Sequence, residues 1–201
     1  MKVFIIGITG GTGAGKTTAL RALESLGALV LDSDAIYHEL LSGNSKLKSE
    51  IGARWGDVLT DGGVDRKKLG NIVFNDRSEL LELNAIAHRY VCEEIWRRLA
   101  VWEARGGAIA AIDAIALIES GLAGKCDAVV GVTAPFEIRV SRIMARDGMT
   151  REQAETRINA QNPDEFYEKH CDYMLKGICK TPLEFEEKCK KFFTELLRHK
   201  I

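Results

Sequence analysis

The chain has 201 residues, 46% of them hydrophobic and 28% charged, and its 28 Lys and Arg against 29 Asp and Glu leave a net charge of −1. These proportions describe one globular domain and exclude disordered or fibrous architectures. The even charge balance excludes a dedicated nucleic-acid binder, which carries a basic excess. The longest apolar runs, residues 108–112 and 114–118, are broken by Asp113 and Glu119 and are too short to span a bilayer, so a cytoplasmic protein with no membrane partner is expected. Residues 1–6 read as a buried strand rather than a signal peptide, because glycines and Lys16 follow at once. Five cysteines without a C-x-x-C pair read as reduced structural thiols, and four histidines without an H-x-x-x-H pair give zinc no support.

In chain order, residues 3–8 form an apolar β-branched run of the kind covered on both faces of a parallel sheet. A glycine-rich turn leads to a helix over 16–26, with Ala19, Leu20, Leu23 and Leu26 at helical spacing and Gly27 as its stop. Residues 28–31 are a second strand ending in Asp32-Ser33-Asp34, which completes a βαβ footprint. Residues 35–105 contain no good strand but several helical stretches, with Asp61-Gly62-Gly63 as a turn. Residues 78–103 read as one long helix or two abutting ones, with Leu81, Ala85, His88, Cys92, Ile95, Leu99 and Trp102 forming its stripe. Strands at 108–112 and 128–132 end in Asp113 and Thr133, as strands do where an α/β sheet presents its ligand site. A helix over 136–146, a turn at Asp147-Gly148-Met149 and a capping box at Thr150-Arg151-Glu152-Gln153 resemble a lid. A short strand over 172–175 and an amphipathic helix over 183–197 close the chain.

Gly10-Gly11-Thr12-Gly13-Ala14-Gly15-Lys16-Thr17 fits G-x-x-x-x-G-K-[ST] in the strand-to-helix context that a P-loop requires. Successive backbone N–H groups of Gly11, Thr12, Gly13, Ala14, Gly15, Lys16, Thr17 and Thr18 are expected to cradle phosphate oxygens, helped by the helix N-terminus. Lys16 supplies a point charge to the β- and γ-phosphates, and the Thr17 hydroxyl offers Mg²⁺ a hard oxygen. A dinucleotide fingerprint is disfavoured, because G-x-G-x-x-G would need glycine where Lys16 stands.

Asp34, just past the second strand, has two readings of equal weight: the base that accepts a substrate hydroxyl proton, or an N-terminal helix cap. Asp113 orients Mg²⁺ or its water, or caps; Glu119 is less informative. Arg139, Arg142 and Arg146 share one helical face, with Glu137 and Asp147 off that stripe, and phosphoryl transfer needs such cations around the migrating group.

Taken together, these segments resemble the dephospho-CoA kinase family. The resemblance includes the loop, Leu26-Gly27 leading to Leu31-Asp32-Ser33-Asp34, residues 62–74 with Leu69 and Phe74, and Leu83-Asn84-Ala85-Ile86-Ala87-His88. It continues through residues 113–119 and ends with Arg146-Asp147-Gly148-Met149-Thr150 running on to Arg157 and Ala160-Gln161. It implies a three-layer αβα P-loop fold with a five-stranded parallel sheet. The core would be residues 1–34, 106–135 and 171–201, with a helical acceptor-binding insertion over 35–105 and a lid over 136–165. It implies ATP-dependent phosphorylation of the ribose 3′-hydroxyl of dephospho-CoA. Asp34 becomes the general base, Lys16 and Thr17 the phosphate and Mg²⁺ ligands, Arg142 and Arg146 lid contacts to ATP, and Asp34, His88 and Asp113 the acceptor side. The expected state is a monomer or weak homo-oligomer.

Three departures bear on the acceptor more than on the reaction. The family's His-Pro is His88-Arg89, its Asp-x-Pro-Leu-Leu-x-Glu is Asp113-Ala114-Ile115-Ala116-Leu117-Ile118-Glu119, and Lys176-Gly177 stands where an Asn commonly follows the last strand. Competing readings are another P-loop kinase acting on a nucleotide or small alcohol, and a nucleotide-binding regulator without turnover. A base and a set of lid cations favour the enzyme.

Overall fold

The computed structural model describes residues 2–60, 63–179 and 181–200. Asp61 and Gly62 of the expected turn therefore lie outside the described residues. The chain opens with β1 (Phe4–Thr9), whose uninterrupted apolar run is buried on both faces. After the glycine-rich turn comes α1 (Lys16–Ser25), which buries Ala19, Leu20, Ala22 and Leu23. A Schellman arrangement ends it, the Ala28 N–H donating to the Leu23 carbonyl (3.1 Å) and the Gly27 N–H to that of Glu24 (2.9 Å). Next are β2 (Leu29–Asp32), α2 (Ser33–Gly43), α3 (Ser45–Trp55), β3 (Leu59–Thr60), β4 (Gly63–Val64), α4 (Arg66–Val73) and α5 (Arg77–Ala104). The remainder is β5 (Ile109–Asp113), a 3₁₀ turn at Leu122–Lys125, β6 (Ala128–Thr133), α6 (Phe136–Asp147), α7 (Arg151–Asn159), α8 (Asp164–His170), β7 (Tyr173–Lys176) and α9 (Pro182–Arg198).

Two compact units result, one from Met1–Leu31 with Trp102–Ile201 and the other from Asp32–Val101. The first carries a five-stranded sheet in the order β2-β5-β1-β6-β7. β1 lies at its centre, parallel to β5 with Ile8 opposite Asp113 and to β6 with Thr9 opposite Gly131. Parallel neighbours need crossover connections, which the intervening helices supply. α1 and α9 share one core, where Leu20, Leu23, Phe185 and Phe193 join Ile6, Ile8, Val130 and Val132 of the sheet. Two carboxylates peg the strand starts: Asp127 accepts the Ile5 N–H at 2.9 Å and Asp172 the Val129 N–H at 2.8 Å. α6 and α7 pack through Val140, Ile143, Ala154 and Ile158, and α7 opens on the capping box of Thr150 and Gln153.

The second unit is helical except for β3 and β4, which pair antiparallel with Leu59 opposite Val64. These strands correct the strand-free reading of 35–105; at two residues each they show no alternation for sequence reasoning to detect. α5 is one helix of 28 residues that buries Leu83, Val91, Ile95 and Leu99. The expected stripe holds over Ile95 and Leu99, but Leu81 is 60% exposed. Polar anchors set the face of the first half instead. Glu79 accepts the Trp55 indole N–H at 2.7 Å and pairs with Arg54, while Arg89 pairs with Glu50, which also accepts the Tyr90 hydroxyl at 2.9 Å. At the second position of the family's His-Pro, Arg89 thus continues the helix and ties it to α3.

Candidate active site

The loop between β1 and α1 is where the structure concentrates phosphate-binding geometry. Gly15, the residue before α1, has φ 115°, a left-handed conformation that a side chain would strain, and no side chain caps the helix there. Asp32, Asn44, Asp65, Thr150 and Thr181 cap α2, α3, α4, α7 and α9 with their side chains, while α6 and α8 also start without a side-chain cap but behind Pro135 and Pro163 rather than behind a glycine-rich loop. The Ala14 N–H donates to the Gly11 carbonyl at 3.2 Å and the Thr18 N–H to that of Gly15 at 3.0 Å, which closes the loop on itself. The Lys16 ammonium donates to the Gly10 carbonyl at 2.8 Å, and Thr17 is exposed.

The three arginines of α6 have different surroundings. Arg139 is buried, donating from Nε to the Thr12 carbonyl (2.9 Å) and from Nη2 to the Gln161 side-chain oxygen (3.1 Å). Asp164 stands 3.6 Å from its Nη1; burial raises the Asp164 carboxyl above the ordinary range, with Arg139 opposing that rise. Arg142 donates to the carbonyls of Gly13 (3.1 Å), Ala14 (3.2 Å) and Gly177 (2.9 Å). Its guanidinium is therefore turned onto the loop backbone, next to the residues expected to hold ATP phosphates. Arg146 is exposed and makes a two-point contact with Asp147 at 2.7 and 2.8 Å, while Arg157 reaches the same carboxylate at 3.0 Å. Hydrogen bonding from Arg146 lowers the Asp147 carboxyl below its ordinary range. Asp147 was set off the arginine stripe by helical spacing, yet it reaches Arg146 because it ends the helix as the adjacent residue.

Gly177, Gln161 and Asp164 were missed as parts of this region. A Cβ at Gly177 would lie 2.3 Å from the Ala14 carbonyl, so the Lys176-Gly177 departure fits a residue without a side chain against the loop. The signal for Gln161 was present only as a matching dipeptide, because nothing local links it to a loop 149 positions earlier.

Asp113 ends β5 beside the strand that feeds the loop. In the second unit, Asp34 is exposed in the first turn of α2, and the cap is Asp32, whose side chain accepts from the N–H groups of Asp34 (2.9 Å) and Ala35 (3.0 Å). The capping alternative for Asp34 is thereby corrected: the cap sits two residues earlier, where the backbone is still extended. His88 is half-buried on α5 with its Nε2 3.3 Å from the Cys92 sulfur. On α2, burial raises the Tyr37 hydroxyl above its usual range and nearby Arg66 partly offsets this; Arg66 also stands 3.4 Å from His38 Nε2. Burial pushes the Cys126 and Cys189 thiols up to about 12 each, which keeps them protonated at neutral pH.

A parallel sheet whose central strand runs into G-x-x-x-x-G-K-T and an uncapped helix defines a P-loop phosphotransferase fold. A profile described as dephospho-CoA kinase matches residues 4–183. The dephospho-CoA kinase of Thermobifida fusca is 43% identical over 158 residues, covering 78% of this chain and 78% of its own. A Thermus thermophilus protein of known crystal structure superposes with a TM-score of 0.82 at 32% identity, covering 98% of this chain and 99% of its own. The dephospho-CoA kinase from Campylobacter jejuni does so with a TM-score of 0.71 at 25% identity, covering 98% of each chain. The chain belongs to the dephospho-CoA kinase family, whose members use ATP to phosphorylate dephospho-CoA.

Proposed function

We propose that this chain transfers the γ-phosphate of ATP to the ribose 3′-hydroxyl of dephospho-CoA, giving coenzyme A and ADP. The observation that carries the reading is the start of α1, which has no side-chain cap behind a glycine-rich loop in a family of kinases. The backbone N–H groups of a glycine-rich loop and the positive end of the helix behind it suit phosphate oxygens. Gly11, Gly13, Ala14 and Gly15 give the loop its shape, the amides of Gly13, Gly15, Lys16 and Thr17 face the phosphates with Thr18 in the first turn behind them, and the Lys16 ammonium leaves the Gly10 carbonyl for them. Thr12 serves the loop through its backbone contacts. Arg146, exposed on α6, supplies charge to the migrating group. Arg142 supports the loop from behind.

On the acceptor side, the Asp34 carboxylate accepts the proton of the ribose hydroxyl, a role consistent with its exposure and with Asp32 serving as the cap. His88 and Asp113 complete the acceptor side. The exposed Thr17 hydroxyl is a hard oxygen that suits Mg²⁺, with Asp113 or Asp34 as the carboxylate that would orient the ion through water. When bound, the ion neutralises charge on the β- and γ-phosphates. No helix among the described residues is long and apolar enough to cross a membrane, and we place the activity in the cytoplasm in a monomer or weak homo-oligomer. A coupled ADP-release assay across dephospho-CoA, nucleosides and small alcohols tests the reading. Release with dephospho-CoA alone supports it, and release with a nucleoside or small alcohol but not dephospho-CoA overturns it.

A further inference from the structure

We propose that Arg139 and Gln161 are positioning residues for phosphoryl transfer, holding two successive peptide planes of the loop so that its amides point at the nucleotide. The inference rests on the reading that this loop holds ATP phosphates. The Gln161 side-chain oxygen accepts the Thr12 N–H at 2.7 Å and the Arg139 Nη2 at 3.1 Å, while Arg139 Nε donates to the Thr12 carbonyl at 2.9 Å. One side-chain pair therefore grips Thr12 by both its amide and its carbonyl. In a trans peptide the C=O and N–H point in opposite directions. Turning the Thr12 carbonyl onto Arg139 aims the Gly13 N–H away from that guanidinium. By the same geometry, Arg142 on the Ala14 carbonyl aims the Gly15 N–H away from α6.

The guanidinium is also close behind the loop: a Cβ on Gly11 would lie 2.2 Å from Arg139 Nη2. Arg139 is 5% exposed, and so deep a cation is tolerated only with acceptors on its donors. Thr12, Gln161 and Asp164 supply them. The Thr12 N–H is held by protein, so it is set apart from the amides that meet phosphate. Sequence spacing alone had placed Arg139 with the lid cations and Thr12 with the phosphate ligands.

The test uses Arg139→Met, which keeps the stem and removes the fork, Gln161→Leu, which removes the shared acceptor without changing charge, Arg139→Lys and the Arg139→Met/Gln161→Leu pair. ATP affinity by calorimetry, kcat, both KM values and melting temperature are measured, the kinetics well below every melting point. Expected are a fall in kcat/KM for ATP of up to about 10²-fold in each single variant, an unchanged KM for dephospho-CoA, and partial rescue in Arg139→Lys. The double variant should be no worse than the weaker single one, because both residues act on one residue of the loop. Lower melting temperatures with wild-type ATP affinity and kcat/KM would reduce the pair to structural support and overturn the proposal, as would equal rises in both KM values. Should Arg139→Met fail to fold, Gln161→Leu decides alone. Wild-type protein that does not bind ATP would instead sink the underlying reading of the loop, and the proposal with it.

Discussion

Replacing Asp34 with Asn tests the proposed base apart from folding, because the cap of α2 is Asp32 and not Asp34. Asp32 receives both capping bonds of α2, at 2.9 and 3.0 Å, while Asp34 is exposed in the first turn. Asp34→Asn keeps the size of the side chain and cannot take a proton. General acid–base catalysis is worth about 10²–10⁴-fold, so kcat should fall within that range while ATP binding holds. Melting temperature should stay within error of wild type. Asp32→Ala should do the reverse, removing a cap worth about 1 kcal/mol and shifting the transition by about 2–4 °C in a chain of this size, with kcat much less affected. Steady-state ADP release with dephospho-CoA and thermal denaturation of the two variants complete the comparison. A fully active Asp34→Asn enzyme would end the general-base assignment, and a large loss of stability in Asp34→Asn would contradict the placement of the cap.

The other expectations concern charge. Lys16→Ala should abolish phosphoryl transfer with an unchanged circular dichroism spectrum and melting curve, since the residue lies at the loop and outside the core; retained activity would remove the loop from the mechanism. Arg146→Ala should lower kcat more than ATP affinity, because a cation beside the migrating group acts most in the transition state; a loss confined to ATP binding would show it is misassigned. Glu94, held by Arg97 and Arg98, has its carboxyl lowered from 4.5 to about 2, chiefly by the Arg97 hydrogen bond. A depressed carboxyl stabilises the fold fully above the unfolded value and loses that contribution as pH falls, here between 4.5 and about 2. Glu94→Gln should flatten the fall of melting temperature over that window, and parallel curves for variant and wild type would refute the pairing.

The strands, α1 and the loop were legible because local pattern determines them: a β-branched run, a glycine turn, a 3.6-residue apolar period and a glycine stop all agree over residues 3–27. The second unit was less so. Its two short strands carry no alternation, and the buried face of α5 turns where Glu79, Arg89 and Tyr90 meet partners from α3. At the candidate site the residue types were visible and their partners were not. A spacing of three and four placed Arg139, Arg142 and Arg146 on one side of α6, but helical periodicity contains no information about what lies opposite. A buried Thr12 peptide, a loop carbonyl and an adjacent aspartate gave the three arginines three different surroundings.

Arg142 can assist the loop in two physically distinct ways. Its donors fix the carbonyls of Gly13, Ala14 and Gly177, and its charge adds positive potential to the cradle whatever its hydrogen bonds, falling off with distance as Coulomb's law requires. Lysine has the same charge but only a single-point ammonium, so it cannot span three carbonyls as the guanidinium fork does. Arg142→Lys therefore removes geometry and keeps field, while Arg142→Met removes both. If orientation of the peptide planes dominates, the two variants should lose similar ATP affinity, in the range of about 10–100-fold expected for misplaced binding groups. If the field dominates, Arg142→Lys should stay near wild type and Arg142→Met should fall alone, with a loss that shrinks as salt rises. The three donated bonds at 2.9–3.2 Å favour the first outcome. Calorimetric titration of ATP into both variants at two ionic strengths distinguishes them, and a near-native, salt-insensitive Arg142→Lys would refute the geometric account.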